Sequence, residues 1–323
     1  EDYVRAAHYL GKFLESDPSQ IKDVISRFDQ IAGKVPMEAG IWKEMLESAL
    51  SINHGNLAHQ ILERAVSTMG ETEAAPLHIY GAMLYRENRN IEESLKCLAI
   101  ALTSERSDLK AIEKELDGII SYSPDNAGAL YLCGETCLRL GKEEKAAETF
   151  RECIKGSPQY TSRVRERLSR ALPVSVKPWL INRLLGIISW EGGKPEKGLL
   201  FFARAQKGDL ESLSALGEEL KRCLDNAPDN TELRKLFADN LRLRKIYPQA
   251  VRQIELLLAA RGYSQPEALS FLGLITGEEP NQFEANRLMA KLLIEEGKTE
   301  ESLEPAINML SSPEAEPADM AKR

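Results

Sequence analysis

Small residues recur in this chain at a fixed interval of 52. Ala82, Gly134, Gly186, Ala238 and Ala290 stand 52 positions apart, and so do Ser94, Ala146, Gly198, Ala250 and Ser302. Two antiparallel helices joined by a short turn need such residues where their backbones approach closely. A larger apolar side chain keeps step with each pair, as Leu98, Phe150, Phe202 and Ile254, and shrinks to Ala306 in the last copy. Terminal repeat units are expected to be atypical in this way. Gly141-Lys142, Gly193-Lys194 and Gly297-Lys298 lie between the two helices, followed by Glu144, Glu196 and Glu300 near the next helix start. Glycine there can take the left-handed helix cap, and the acid suits the positive end of the second helix. The period therefore specifies five copies of one helix pair in an extended array.

The segment from Ser123 to Tyr160 shows the unit in full. Pro124-Asp125-Asn126 makes a turn and a cap, and Leu130, Cys133, Gly134 and Cys137 follow at helical spacing. A second helix carries Ala146, Ala147, Phe150 and Cys153 on one face, and Pro158 closes the unit. This unit resembles the tetratricopeptide (TPR) repeat, a helix–turn–helix of about 34 residues that stacks into solenoids. Leu130, Gly134, Ala146, Phe150 and Pro158 occupy the family's characteristic slots, with Cys133, Cys137 and Cys153 in place of the more usual Leu, Tyr and Ala. Weaker copies keep Leu185, Gly186, Phe202 and Ala205, then Ala250, then Ala290, Leu293 and Gly297. The resemblance covers residues 75–310, with copies starting near 75, 127, 179, 231 and 283. It implies an all-α, right-handed α-solenoid of about nine antiparallel helix pairs.

The interval of 52 exceeds the family's repeat by roughly 18 residues, enough for one more helix per copy. Asp108–Tyr122, Thr161–Leu172, Asp209–Asp225 and Gln265–Thr276 are the segments that would form it. Three helices per copy is an odd number, so successive copies either exchange layers, giving a geometric repeat of six helices, or tuck the extra helix aside. The recurrence of Pro124-Asp125-Asn126 as Pro228-Asp229-Asn230 agrees with the first arrangement. Residues 1–74 read as a helical cap that includes a half-a-TPR-like pair over Ile41–Ala65. Residues 311–323 lack an apolar period and are expected to be disordered.

Bulk chemistry narrows the function. Of 323 residues 43% are hydrophobic and 28% charged, which excludes intrinsic disorder, and the 6% aromatic content suits helices packed by small and aliphatic side chains. Forty-two basic against fifty acidic residues give a net charge of −8, so nucleic acid is disfavoured as a partner. No segment reads as a membrane span, because the uncharged stretch Ser48–Leu62 is broken by Asn53-His54-Gly55-Asn56. The chain opens at Glu1 with neither an initiator Met nor an apolar leader, which reads as a trimmed N-terminus. Five cysteines, all within helical apolar patterns, point to a reducing compartment. A cytoplasmic location is expected, with membrane anchoring through a segment outside these residues as the alternative.

No catalytic constellation emerges, and neither a cofactor nor a small-molecule substrate is expected. The four histidines form no helical zinc pair, and Gly297-Lys298-Thr299 imitates a phosphate loop without its first glycine or a preceding strand. Cys133, Cys137, Cys153 and Cys97 read as packing side chains rather than a metal site.

The resemblance implies that one position in each first helix faces a ligand groove. It reads Ile79, Tyr131, Arg183, Lys235 and Arg287, with Trp190, Arg242 and Lys291 adjoining. The partner-binding candidates are thus Tyr131, Arg183, Trp190, Lys235, Arg242, Arg287 and Lys291, and they imply a cationic groove with an aromatic anchor. Ordinary exposed helix residues are the competing reading. Tyr80, Leu132, Leu184, Leu236 and Leu288 stand where a chaperone-tail clamp needs polar residues, which argues against that ligand. The expected function is a non-enzymatic scaffold binding a peptide or helix of a protein partner. The alternatives are a regulatory or anchoring portion of a glycan-export, secretion or enzyme assembly, and an RNA-processing scaffold.

Overall fold

A computed structural model describes residues 2–312, and all regular structure among them is helical. The N-terminal region holds α1 (Asp2–Ser16), α2 (Ile21–Lys34), α3 (Ala39–Ser51), α4 (Gly55–Met69) and the single turn α5 (Glu71–Ala74). Three-helix copies follow. The first is α6 (His78–Glu87), α7 (Ile91–Ala101) and α8 (Leu109–Tyr122), and the second is α9 (Ala127–Arg139), α10 (Glu143–Gly156) and α11 (Thr161–Ala171). The third is α12 (Pro178–Glu191), α13 (Pro195–Ala205) and α14 (Leu210–Asn226), and the fourth is α15 (Thr231–Leu243), α16 (Tyr247–Ala259) and α17 (Gln265–Glu278). A last pair, α18 (Phe283–Glu295) and α19 (Leu303–Leu310), completes the described residues. No helix among them is long and apolar enough to cross a membrane. Residues 313–323, expected to be disordered, lie outside the described residues. Ser311 and Ser312 are described, and the Ser311 N–H closes the last turn of α19 on the Ile307 carbonyl.

The described helices gather into two compact units, divided between Arg167 and Leu168. Within each, the small slots do the work the period assigns them. In the first unit the buried Ser94 hydroxyl donates to the Ala82 carbonyl at 2.8 Å, and a Cβ on Gly134 would come within 2.7 Å of the Phe150 ring. In the second, a Cβ on Gly186 would stand 2.5 Å from the Phe202 ring, and one on Gly198 would stand 3.2 Å from the Gly186 carbonyl. Glycine therefore meets phenylalanine, whereas alanine pairs with Leu98 or Ile254, so the two positions trade volume and keep the hairpins closely packed.

The turns obey the same register. Arg89, Gly141, Gly193, Lys245 and Gly297 all have positive φ, between 58° and 76°, and each is followed by a residue whose N–H reaches back to close the first helix. Asn90 donates to Tyr85, Lys142 to Cys137, Lys194 to Ser189, Ile246 to Leu241 and Lys298 to Leu293, all at 2.8–2.9 Å. Gly297-Lys298 is thus a helix cap, which accounts for its likeness to a phosphate loop. The third helices carry a register of their own. Ile112, Leu116 and Ile119 recur as Val164 and Leu168, as Leu216, Leu220 and Cys223, and as Ala268, Leu272 and Ile275, all at most 4% exposed.

Packing decides the layers. In the first unit α6 lies beside α8 and α7 beside α9, while α8 and α9 pair as an antiparallel hairpin. In the second unit α12 neighbours α14, α13 neighbours α15 and α16 neighbours α18, again with hairpins between consecutive helices. In these pairs a helix shares a layer with the next but one, and the first helices of consecutive copies within a unit occupy opposite layers.

Candidate partner-binding surface

The layer exchange separates the groove candidates. In the second unit Arg183 on α12 and Arg287 on α18 belong to one layer, and Lys235 on α15 belongs to the other. The cationic groove implied by the resemblance is not assembled as one stripe, and most of its charges are spent on carboxylates. Arg242 pairs with Asp239 at 2.9 Å and with Glu278, tying α15 to α17 with 14% of its side chain exposed. Arg287 meets Glu284 at 2.7 Å and Glu255 at 3.1 Å. Lys291 lies 3.9 Å from Glu295. Trp190 is half-buried and packs against the core of its unit, so it acts as a filler beside Gly198. In the first unit, Tyr131 lies in an aromatic stack, its ring centre 5.6 Å from that of Tyr160 and 6.0 Å from that of Phe150.

Lys235 alone among these candidates lines an open apolar cleft, of about 620 Å³, in the second unit. Three helices of one layer build it. α13 contributes Leu199, Leu200 and Ala203, α15 contributes Lys235 and Leu236, and α17 contributes Phe271, with Tyr263 on the preceding loop. Leu200 is 61% exposed, a large apolar side chain facing solvent at the cleft. The Lys235 ammonium lies 4.9 Å over the Tyr263 ring, 3.0 Å from Glu232 and 4.0 Å from Glu267. Its positive charge is therefore balanced locally, and its stem adds to the apolar wall. Glu196, Glu232 and Asp239 complete the lining.

Only Lys235 of this cleft is a residue that groove reasoning selects. The others carry a different signal, the places where one copy breaks the chemistry of its equivalents. Leu200 stands in register with Lys96, Glu148, Arg252 and Glu304. Phe271 stands in register with Glu115, Arg167 and Glu219, and Tyr263 with Ser107, Gln159 and Glu211. Three positions that are polar or charged in the other copies are apolar or aromatic here, and all three line one cleft.

The cysteines have a packing role. All five are buried free thiols, and burial pushes Cys97, Cys153 and Cys223 up to about 11. Cys133 donates to Asp117 at 3.9 Å and Cys137 to Glu113 at 3.8 Å, and the same carboxylates are neutralised by lysines, since Glu113 accepts from Lys142 at 2.5 Å and from Lys145 at 2.9 Å, and Asp117 accepts from Lys145 at 3.0 Å. Among the described residues no three His, Cys, Asp or Glu side chains are grouped to hold a metal ion.

No family model matches the sequence, and no curated protein matches it. Among solved structures, the chain is similar to the P58(IPK) TPR domain, with 16% identity, coverage of 96% of this chain and 93% of that one, and a TM-score of 0.24. It is similar to yeast Tom70 at 9% identity over 97% and 93% of the two chains, TM-score 0.23. It is also similar to MamA at 15% identity over 61% and 92%, TM-score 0.22. The tetratricopeptide-like character of the chain itself rests on its in-register slots, caps and hairpins.

Proposed function

We propose that the chain is a non-enzymatic protein–protein interaction scaffold that captures a segment of a partner protein in the cleft between α13, α15 and α17. In this reading residues 75–310 form the repeat array and residues 1–74 cap it. The supporting observation is the convergence of Leu200, Tyr263 and Phe271, three departures from the repeat chemistry, on one open apolar surface. A rigid helical scaffold gains affinity there by inserting partner side chains into a preformed apolar site, with little ordering cost on its own side. Leu200 is exposed beside the apolar lining of Leu199, Leu236 and Phe271, so a docked apolar side chain would bury it together with them.

The test is selection of a displayed random-peptide library on the full chain, followed by measurement of the selected peptides against Leu200→Lys. Loss of about tenfold or more in affinity, with helical content and melting temperature unchanged, supports docking in the cleft. Selected peptides that bind the variant as well as the parent place the site elsewhere.

A further inference from the structure

The layer that builds the cleft also sets the charge along its edge. Lys235 near the start of α15 reaches Glu267 near the start of α17, Arg242 near the end of α15 reaches Glu278 at the end of α17, and Glu196 and Glu232 line the same cleft, so α13, α15 and α17, alternate members of the series, point the same way. Their first turns therefore lie at one end of the layer, and each carries a carboxylate there: Glu196 at the second residue of α13, Glu232 at the second of α15 and Glu267 at the third of α17. Asp239 lines the cleft farther along α15. Asp239 is already paired with Arg242, and against the other three acids the cleft sets one ammonium, Lys235, which lies between Glu232 and Glu267. The equivalent first turns in the first unit, 104 residues earlier, hold Glu92, Gly128 and Arg163, so an acidic row is not a requirement of the scaffold.

We infer that the occupant of this cleft is an amphipathic helical segment of a partner protein, with aliphatic side chains against Leu200, Leu236 and Phe271 and lysines or arginines along the row of Glu196, Glu232 and Glu267. The inference rests on the docking reading above and adds its charge class. The aliphatic face supplies the burial, and the carboxylates select against acidic segments, because a like charge placed on the row meets three carboxylates of which Glu232 and Glu267 share the one Lys235 ammonium. Lys235 is a specificity-determining residue in this arrangement: held over Tyr263, it leaves the row net negative while preventing the lining from being acidic throughout.

The probes are three fluorescein-labelled 15-residue helical peptides that share leucines at i, i+4 and i+7. They differ only in carrying lysine, glutamine or glutamate at the flanking positions. Anisotropy titrations use the full chain at low salt and in 0.5 M sodium chloride. The lysine peptide is expected to bind about tenfold more tightly than the glutamate peptide at low salt, with the ratio shrinking toward one in high salt. Glu196→Gln with Glu232→Gln, both at exposed positions, is expected to reduce the lysine preference about three- to tenfold and leave the glutamine peptide unchanged. Leu200→Lys is expected to weaken the lysine peptide about tenfold or more. If the glutamate peptide binds as well as or better than the lysine peptide, and remains sensitive to Leu200→Lys, the charge class is wrong and the docking reading survives. If every peptide fails to bind, or binds without regard to Leu200→Lys, the charge inference falls together with docking in the cleft, and the library selection above reports separately on the latter.

Discussion

Residues 92–167 and 196–271 are the same construction 104 positions apart, and their surfaces are opposites. Leu95, Ala99, Leu132 and Glu135 in the first unit match Leu199, Ala203, Leu236 and Asp239 in the second. Glu92 likewise matches Glu196, and the remaining positions change character. Tyr131 stands for Lys235 and fills its surroundings by stacking on Tyr160, with the Arg163 guanidinium 5.8 Å over the Tyr160 ring. Lys96 stands for Leu200 and is paired with Glu93 at 2.7 Å, and Arg167 stands for Phe271 and reaches Glu135 at 3.3 Å. The first surface satisfies itself with aromatic stacking and ion pairs, whereas the second leaves an apolar cleft open. The lesson is that the repeat constrains the slots between helices and leaves the outer faces free to diverge, so function is to be sought where a copy breaks the surface pattern and keeps the slots.

The shared slots are where substitution should cost most. Gly134→Ala places a methyl group against the fully buried Phe150 ring, at an expected cost of about 1–3 kcal/mol, with helix propensity returning less than about 1 kcal/mol. Adding Phe150→Leu recreates the Ala82 and Leu98 combination of the first copy. Urea unfolding of the double variant should show less destabilisation than the summed singles by about 1 kcal/mol or more, and the same should hold for Gly186→Ala with Phe202→Leu. Strict additivity in either unit would mean that slot and ring do not exchange volume as described.

The units should also part company in acid. Glu113 is buried and held below the usual carboxylate range, chiefly by the Lys142 hydrogen bond and then by Lys145. Because its folded value is depressed, its stabilisation is present at neutral pH and disappears as pH falls through that lowered value. The equivalent position in the second unit is Gly217, crowded by Arg244 and Asn240, with no carboxylate to titrate. Glu113→Gln should therefore cost about 1–2 kcal/mol at pH 7, fading as pH falls below the ordinary carboxylate range, in the hydrogen-exchange protection of the first unit alone. A loss that does not diminish as the solution is acidified would assign Glu113 a role in packing.

Smaller effects belong to the turns. Arg89 and Lys245 hold the left-handed conformation that Gly141 and Gly193 hold in the other copies, so Arg89→Gly and Lys245→Gly should each stabilise by about 1 kcal/mol or less. Gly141→Ala, with no atom within 4 Å of the added Cβ, should lose a similar amount through the backbone alone. Melting temperatures that move the other way would show that side-chain contacts of Arg89 and Lys245 outweigh the backbone.

Much of this architecture is legible in the sequence because close helix contacts demand small residues at fixed positions, and Ala82 through Ala290 report them without ambiguity. The third helices are legible for the same reason, since the spacing leaves room for nothing shorter. The layer of each copy is not, because it depends on which faces of neighbouring helices meet. Nor are the ion pairs that absorb Arg242 and Arg287, whose partners Glu278 and Glu255 lie 36 and 32 positions away on other helices. A cation read from one helix looks available until the opposing helix is placed. The cleft does leave a trace, in Leu200, Tyr263 and Phe271 standing out of line with their equivalents, but only the fold shows that these departures share one surface.

The most direct test of that account is hydrogen exchange of the full chain with and without the lysine-flanked leucine peptide. The account predicts added protection in α13, α15 and α17 with α7, α9 and α11 unchanged. Protection confined to α7, α9 and α11, or none in α13, α15 and α17 at saturating peptide, would contradict it.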